Sequence, residues 1–75
     1  MSEALLVQSR DAALLVVRKH SFANRDPEVR QHCRTLLGAV KRDAPELANA
    51  AAFSIAARSA IPELRDALVY FRLFG

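Results

Sequence analysis

Three prolines, each followed by a glutamate and then an aliphatic residue, constrain this chain more than anything else in it. They stand in Asp26-Pro27-Glu28-Val29, Ala44-Pro45-Glu46-Leu47 and Ile61-Pro62-Glu63-Leu64, with the prolines 18 and 17 residues apart. Proline lacks the N–H that the first helical turn leaves unbonded anyway, and a glutamate beside it complements the positive end of the helix dipole. Asp26, Asp43 and Ser59 are placed to act as N-caps, their side-chain oxygens accepting from free backbone N–H groups. Each element therefore reads as a helix start. A fourth helix precedes them, with Asn24 and Arg25 as the turn. The expectation is a single all-α domain over residues 1–75, with helices at 2–23, 27–42, 45–59 and 62–74. Its short connections suit a compact four-helix arrangement, either a bundle of helical hairpins or a solenoid-like stack.

Composition narrows the alternatives. Of the 75 residues, 52% are hydrophobic and 25% charged, a balance that folds rather than staying disordered. Two glycines and three prolines supply too little turn chemistry for a many-stranded β protein. One cysteine excludes a disulfide framework and a cysteine-built zinc site. No apolar run reaches the roughly 18 residues of a membrane span. Gln8-Ser9-Arg10-Asp11 interrupts the apolar N-terminal stretch, against a secretory signal and in favour of a cytoplasmic location. Nine of the eleven basic residues are arginine and alanine is the commonest residue, as in GC-rich bacterial coding.

The helices differ in where their apolar residues fall. Val29, Cys33, Leu36, Leu37 and Val40 line one stripe of the second helix at helical spacing. In the third, Leu47, Ala51 and Ile55 share a face, with Ala50, Phe53 and Ala57 on the other. Leu64, Ala67, Leu68, Phe71 and Phe74 form the main stripe of the fourth, while Val69 and Leu73 lie on a second side. The first carries Leu5, Leu6, Val7, Leu14, Leu15, Val16, Val17 and Phe22 around most of its circumference. This exceeds one inward stripe per helix, and large exposed apolar patches are uncommon on monomers. A small domain also buries a modest share of its surface. The surplus predicts a protein partner, or self-association to a dimer or more. The expected anchors are Leu6, Leu14, Val17, Val69, Leu73 and Phe74, rimmed by Tyr70 and Arg72.

Candidate chemistry is sparse. His32 and Cys33 are adjacent, so on a helix their side chains diverge by about 100°. Cys33 sits mid-stripe, where a thiol is buried and inert. Neither His20 nor His32 has a second histidine one helical turn away to complete a metal pair, and a glycine-rich phosphate loop is lacking. The expectation is no enzyme, no cofactor, no metal and no small-molecule substrate. The net charge of +3 and the ridge Arg30, Arg34 and Lys41 keep nucleic-acid binding as the alternative. Against it, Glu28, Glu46 and Glu63 would repel phosphate at the helix starts. The run Leu68–Phe74 has only Arg65 and Arg72 to meet anionic lipid, which argues for packing rather than membrane attachment.

From Arg34 to Pro62 the spacing resembles one tetratricopeptide helix hairpin. Leu37-Gly38 stand at that motif's Leu-Gly, twelve residues before the small Ala50, with Ala57 and Pro62 in register. Arg34, Lys41 and Ser54 occupy its aromatic positions, a departure from the pattern. The Pro-Glu-Val element is also similar to the helix openings of HEAT-type repeats. What either resemblance implies is a protein-binding α-solenoid fragment without catalysis.

Overall fold

The computed structural model describes residues 7–72, and among these residues the only regular elements are helices: α1 (Arg10–Ala23), α2 (Pro27–Lys41), α3 (Pro45–Arg58) and α4 (Pro62–Leu68), with α4 continued by a 3₁₀ turn at Val69–Phe71. The helix starts expected at all three prolines are found, each with proline in the first turn. None of these helices is long and apolar enough to cross a membrane.

Two boundaries differ from expectation. α1 begins at Arg10 rather than near Ser2, because Ser9 caps it: its Oγ accepts from Ala12 N at 3.0 Å. α4 gives way to the 3₁₀ turn after Leu68 instead of continuing to Phe74. Ahead of α1, Val7 is buried and tied at both of its backbone groups. Its N–H donates to Asp66 Oδ2 at 2.9 Å, and its carbonyl accepts from the Tyr70 hydroxyl at 2.9 Å.

The caps also depart in detail. Asp26 does cap α2, accepting from Glu28 N at 2.9 Å. Asp43 does not cap α3; that position is Ala44, which makes no side-chain cap bond. Asp43 instead ends α2 in left-handed backbone, with φ 56°. Its N–H donates to the Val40 carbonyl and that of Ala44 to the Ala39 carbonyl, the paired bonds of a Schellman stop. Ser59 closes α3, and its Oγ accepts from the N–H of Ile61, the cap residue of α4, at 3.3 Å.

A shift of 35 residues superposes the first half of this pattern on the second. Ser9 and Ala44 are N-caps; Arg10 and Pro45 open α1 and α3; Asn24 and Ser59 close them; Asp26 and Ile61 cap the next helix; Pro27 and Pro62 begin it. Both connections use one device. The side chain at the closing position accepts from the N–H two residues on: Asn24 from Asp26 at 2.9 Å, Ser59 from Ile61. At the fourth residue of the following helix an arginine reaches back to that same position's carbonyl. Arg30 Nη1 lies 2.6 Å from Asn24 O, and Arg65 Nη1 lies 3.2 Å from Ser59 O.

The chain is thus two equivalent helical hairpins, α1–α2 and α3–α4. They interlock as a closed ring: α1 packs on α2 and α4, and α3 packs on α2 and α4. The core takes matched positions from each half, Ala13 with Ala48, Val17 with Ala52, Val29 with Leu64, Cys33 with Leu68, and Leu36 with Phe71. Ion pairs stitch the halves in the same crossed sense. Glu63 of α4 meets Lys19 of α1 at 3.2 Å, and its counterpart Glu28 of α2 meets Arg58 of α3 at 3.0 Å.

Candidate functional site

The pairing of the two hairpins fixes which side of each helix faces out. In α1 the inward stripe is Ala13, Val17, His20 and Ser21. Leu15 and Phe22 consequently point outward, 68% and 69% exposed, with Arg18 and Lys19 between them. In α3 the outward side carries Ala50, Phe53 and Ala57, with Phe53 47% exposed. Beside it lie Val69, 53% exposed, and Arg72, whose guanidinium sits 4.9 Å from the centre of the Phe53 ring. Leu47 and Ile61 are also exposed. Two helices on opposite corners of the ring therefore each present large apolar side chains to solvent.

The expected anchors fare unevenly. Val69 is exposed on its second side, as its spacing requires. Val17 is a correction: it is completely buried in the core, so it cannot meet a partner without opening α1. Leu14 is half-buried against the core. Tyr70 is half-buried too, and its hydroxyl is committed to Val7. Arg72 is half-buried over Phe53, with a buried Nε that finds no acceptor among the described residues. Leu6, Leu73 and Phe74 lie outside the described residues. Leu15, Phe22 and Phe53, absent from the expected anchors, are large apolar residues that stand exposed as Val69 does.

The basic residues divide by hairpin. Residues 9–42 hold eight basic and three acidic side chains, whereas residues 44–72 hold three of each. Many are occupied within the fold. Arg30 and Arg65 hold the helix ends, Arg58 pairs with Asp26 and Glu28, and Arg10 lies 5.4 Å from the Phe71 ring centre. Of the expected ridge, Arg30 is therefore spent on the fold, while Arg34 and Lys41 are exposed. Among the described residues, the side chains of Arg18, Arg25, Arg34, Lys41 and Arg42 make no hydrogen bond or ion pair, and all five belong to the first hairpin.

Two groups with chemical potential prove to be structural. Cys33 is fully enclosed, and burial pushes its thiol up to about 11, far from a nucleophilic thiolate near neutral pH. His20 is buried between α1 and α4. Because the Asn24 Oδ1 accepts from Asp26 N, its Nδ2 is the donor to His20 Nδ1 at 3.0 Å, which leaves the proton of the neutral ring on Nε2. That atom lies 3.9 Å from Glu63 Oε1, too far to hydrogen-bond. Burial first, and Lys19 second, hold its pKa below the ordinary histidine value, with Glu63 countering in part. Among the described residues no three His, Cys, Asp or Glu side chains cluster as a metal site would need. A shallow cleft at the α2–α3 turn, lined by Arg10, Val40, Asp43 and Pro45, is open to solvent on one side.

Compared with known proteins, the chain matches no family model, no curated protein and no solved structure.

Proposed function

We propose that the chain is a non-enzymatic protein-interaction module that works by burying exposed apolar helix faces against another protein or a second copy of itself. One observation carries the reading: on a domain this small, Leu15, Phe22, Phe53 and Val69 are each about half exposed or more. Burying the exposed part of one such side chain on a partner contributes about 1–2 kcal/mol, so the side chains on either face would form the apolar centre of an interface whose remaining contacts complete the affinity. The enclosed thiol of Cys33 and the structural role of His20 support binding over catalysis. In this reading the module acts in the bacterial cytoplasm, where a single free thiol needs no disulfide partner.

A small basic helical protein that binds nucleic acid is the second reading. It is favoured by the five unpaired cations of the first hairpin, Arg34 and Lys41 among them.

Photo-crosslinking in the native cell separates the two. A photo-reactive residue placed singly at Phe22, Phe53 or Val69 is expected to give adducts of discrete mass, either to a second copy or to another protein. The same residue at Arg34 or Lys41 should give few. Adducts to nucleic acid from Arg34 and Lys41, with none from the three apolar sites, would replace the first reading by the second.

A further inference from the structure

We propose that the outer face of α1 is the docking surface for an amphipathic helix whose apolar stripe is flanked by acidic residues. This rests on the protein-binding reading and adds the face and the chemistry of the partner. The second hairpin serves as an internal control. Leu15 and Phe22 occupy the positions that Ala50 and Ala57 occupy on α3, all four exposed. The fold is thus satisfied by alanine at these places, and packing does not account for a leucine and a phenylalanine there.

The spacing fits one helix laid on another. Leu15 and Phe22 are seven residues apart, two helical turns or about 10 Å, the separation at which an amphipathic helix repeats its anchors. Charge then decides the occupant. Arg18 lies between the two anchors and Arg25 follows in the turn, neither guanidinium with a hydrogen bond or ion pair among the described residues. Lys19 also lies between them but is drawn to Glu63 at 3.2 Å. Asp11 stands one turn before Leu15, so the partner is acidic opposite Arg18 and Arg25 and can carry a base opposite Asp11. A second copy is a poor occupant of this face. Antiparallel pairing that sets Leu15 on Phe22 also sets Arg18 of each copy against Lys19 of the other, and parallel pairing sets Arg18 on Arg18. Nucleic acid is a poor one as well, since Leu15 has no π-face on which a base could stack and would be desolvated without return.

The test is a display library of helical peptides about four turns long, with leucine and phenylalanine fixed on one stripe and the flanking positions randomised, selected on the full chain. Selected peptides are expected to carry Asp and Glu at the flanks several-fold over Lys and Arg. Arg18→Glu with Arg25→Glu should reverse that preference. Leu15→Ser with Phe22→Ser should weaken the best peptide at least tenfold. Both pairs are at exposed positions, and circular dichroism verifies that helix content is kept. Flanks without acid preference, an acid preference that survives the double charge reversal, or failure to enrich any peptide would each overturn the proposal. Any of these three results alongside crosslinked adducts at Phe53 and Val69 would leave the binding-module reading standing and remove only this face. Phe22-dependent binding of a labelled mixed-sequence RNA would assign the face to nucleic acid instead.

Discussion

Asp43 is the one non-glycine residue with positive φ among the described residues, and it sits where the fold needs a left-handed stop. A Cβ in that region costs stability, and aspartate tolerates it better than most residues without matching glycine. Asp43→Gly relieves the strain but adds freedom to the unfolded chain, so the expected net gain is about 0.5 kcal/mol, read as an upward shift in the urea midpoint. A fall in the midpoint would mean that the Asp43 carboxylate does something for the fold beyond its backbone. His20 gives a pH prediction of definite sign. Its folded pKa lies below the ordinary value near 6.5 while the unfolded chain keeps that value, so between the two the unfolded state binds the extra proton. The stability due to neutral His20 is complete above pH about 6.5 and declines as the pH falls through the interval beneath it. Denaturant titrations between about pH 8 and about pH 5, the range in which histidine changes charge, should show this slope. His20→Gln should flatten it. At Cys33 the enclosed, high-pKa thiol should react with alkylating reagents only after unfolding; a fast reaction in the native protein would place it outside the core.

At the scale of the element, the two Pro-Glu-aliphatic-Arg openings behave as one part used twice. Arg30 and Arg65 each bind a carbonyl at the end of the preceding helix, where the helix dipole is negative and backbone acceptors lack partners. Truncating either to alanine should cost about 1 kcal/mol, since the bonds are charge-assisted but partly solvent-exposed. Similar losses for the two variants in thermal melts are expected. A loss at one site only would show that the matched geometry does not carry matched energy. Much of this level was legible beforehand. The prolines and glutamates mark three helix starts, and the even spacing of Val29, Cys33 and Leu36 and of Leu64, Leu68 and Phe71 gives the buried stripes of α2 and α4 directly. The register of α1 was not legible from hydrophobicity alone, because its buried side includes His20 and Ser21 while Leu15 and Phe22 face water. Polar side chains can be buried there because Asn24 satisfies one ring nitrogen of His20 and the Arg18 carbonyl accepts from the Ser21 hydroxyl at 2.6 Å. The missing signal lay in the sequence all the same. Aligning Pro27-Glu28-Val29-Arg30 with Pro62-Glu63-Leu64-Arg65 carries the Ala50 and Ala57 face of α3 onto Leu15 and Phe22 of α1, setting both on the side opposite the Ala51 and Ile55 face.

For the whole molecule, the two-hairpin ring means that neither half owns a core. Val17, Val29, Cys33 and Leu36 from the first hairpin close on Ile55, Leu64 and Leu68 from the second, all fully or almost fully buried. The Cα radius of gyration, 11.4 Å, is what a compact chain of this length should have, about 11 Å, so the closure is achieved within one copy. Chains below about 40 residues seldom fold without a cross-link or a partner. Each hairpin alone would leave its shared stripe in water and lose the crossed pairs Lys19–Glu63 and Arg58–Glu28. Dividing the chain between Asp43 and Ala44 should therefore give two peptides that are largely unfolded separately. Mixed in equal amounts, they should regain helix with a dependence on concentration, since association now replaces the short turn as the source of proximity. Charge screening should weaken the recombination modestly, because the pairs that join the halves are exposed while the apolar stripes are not. Circular dichroism of each peptide and of the mixture across concentration is the measurement. A first-half peptide that is fully helical alone would show that α1 and α2 suffice for each other, and the matched burial of the two halves would then be a resemblance without a shared core.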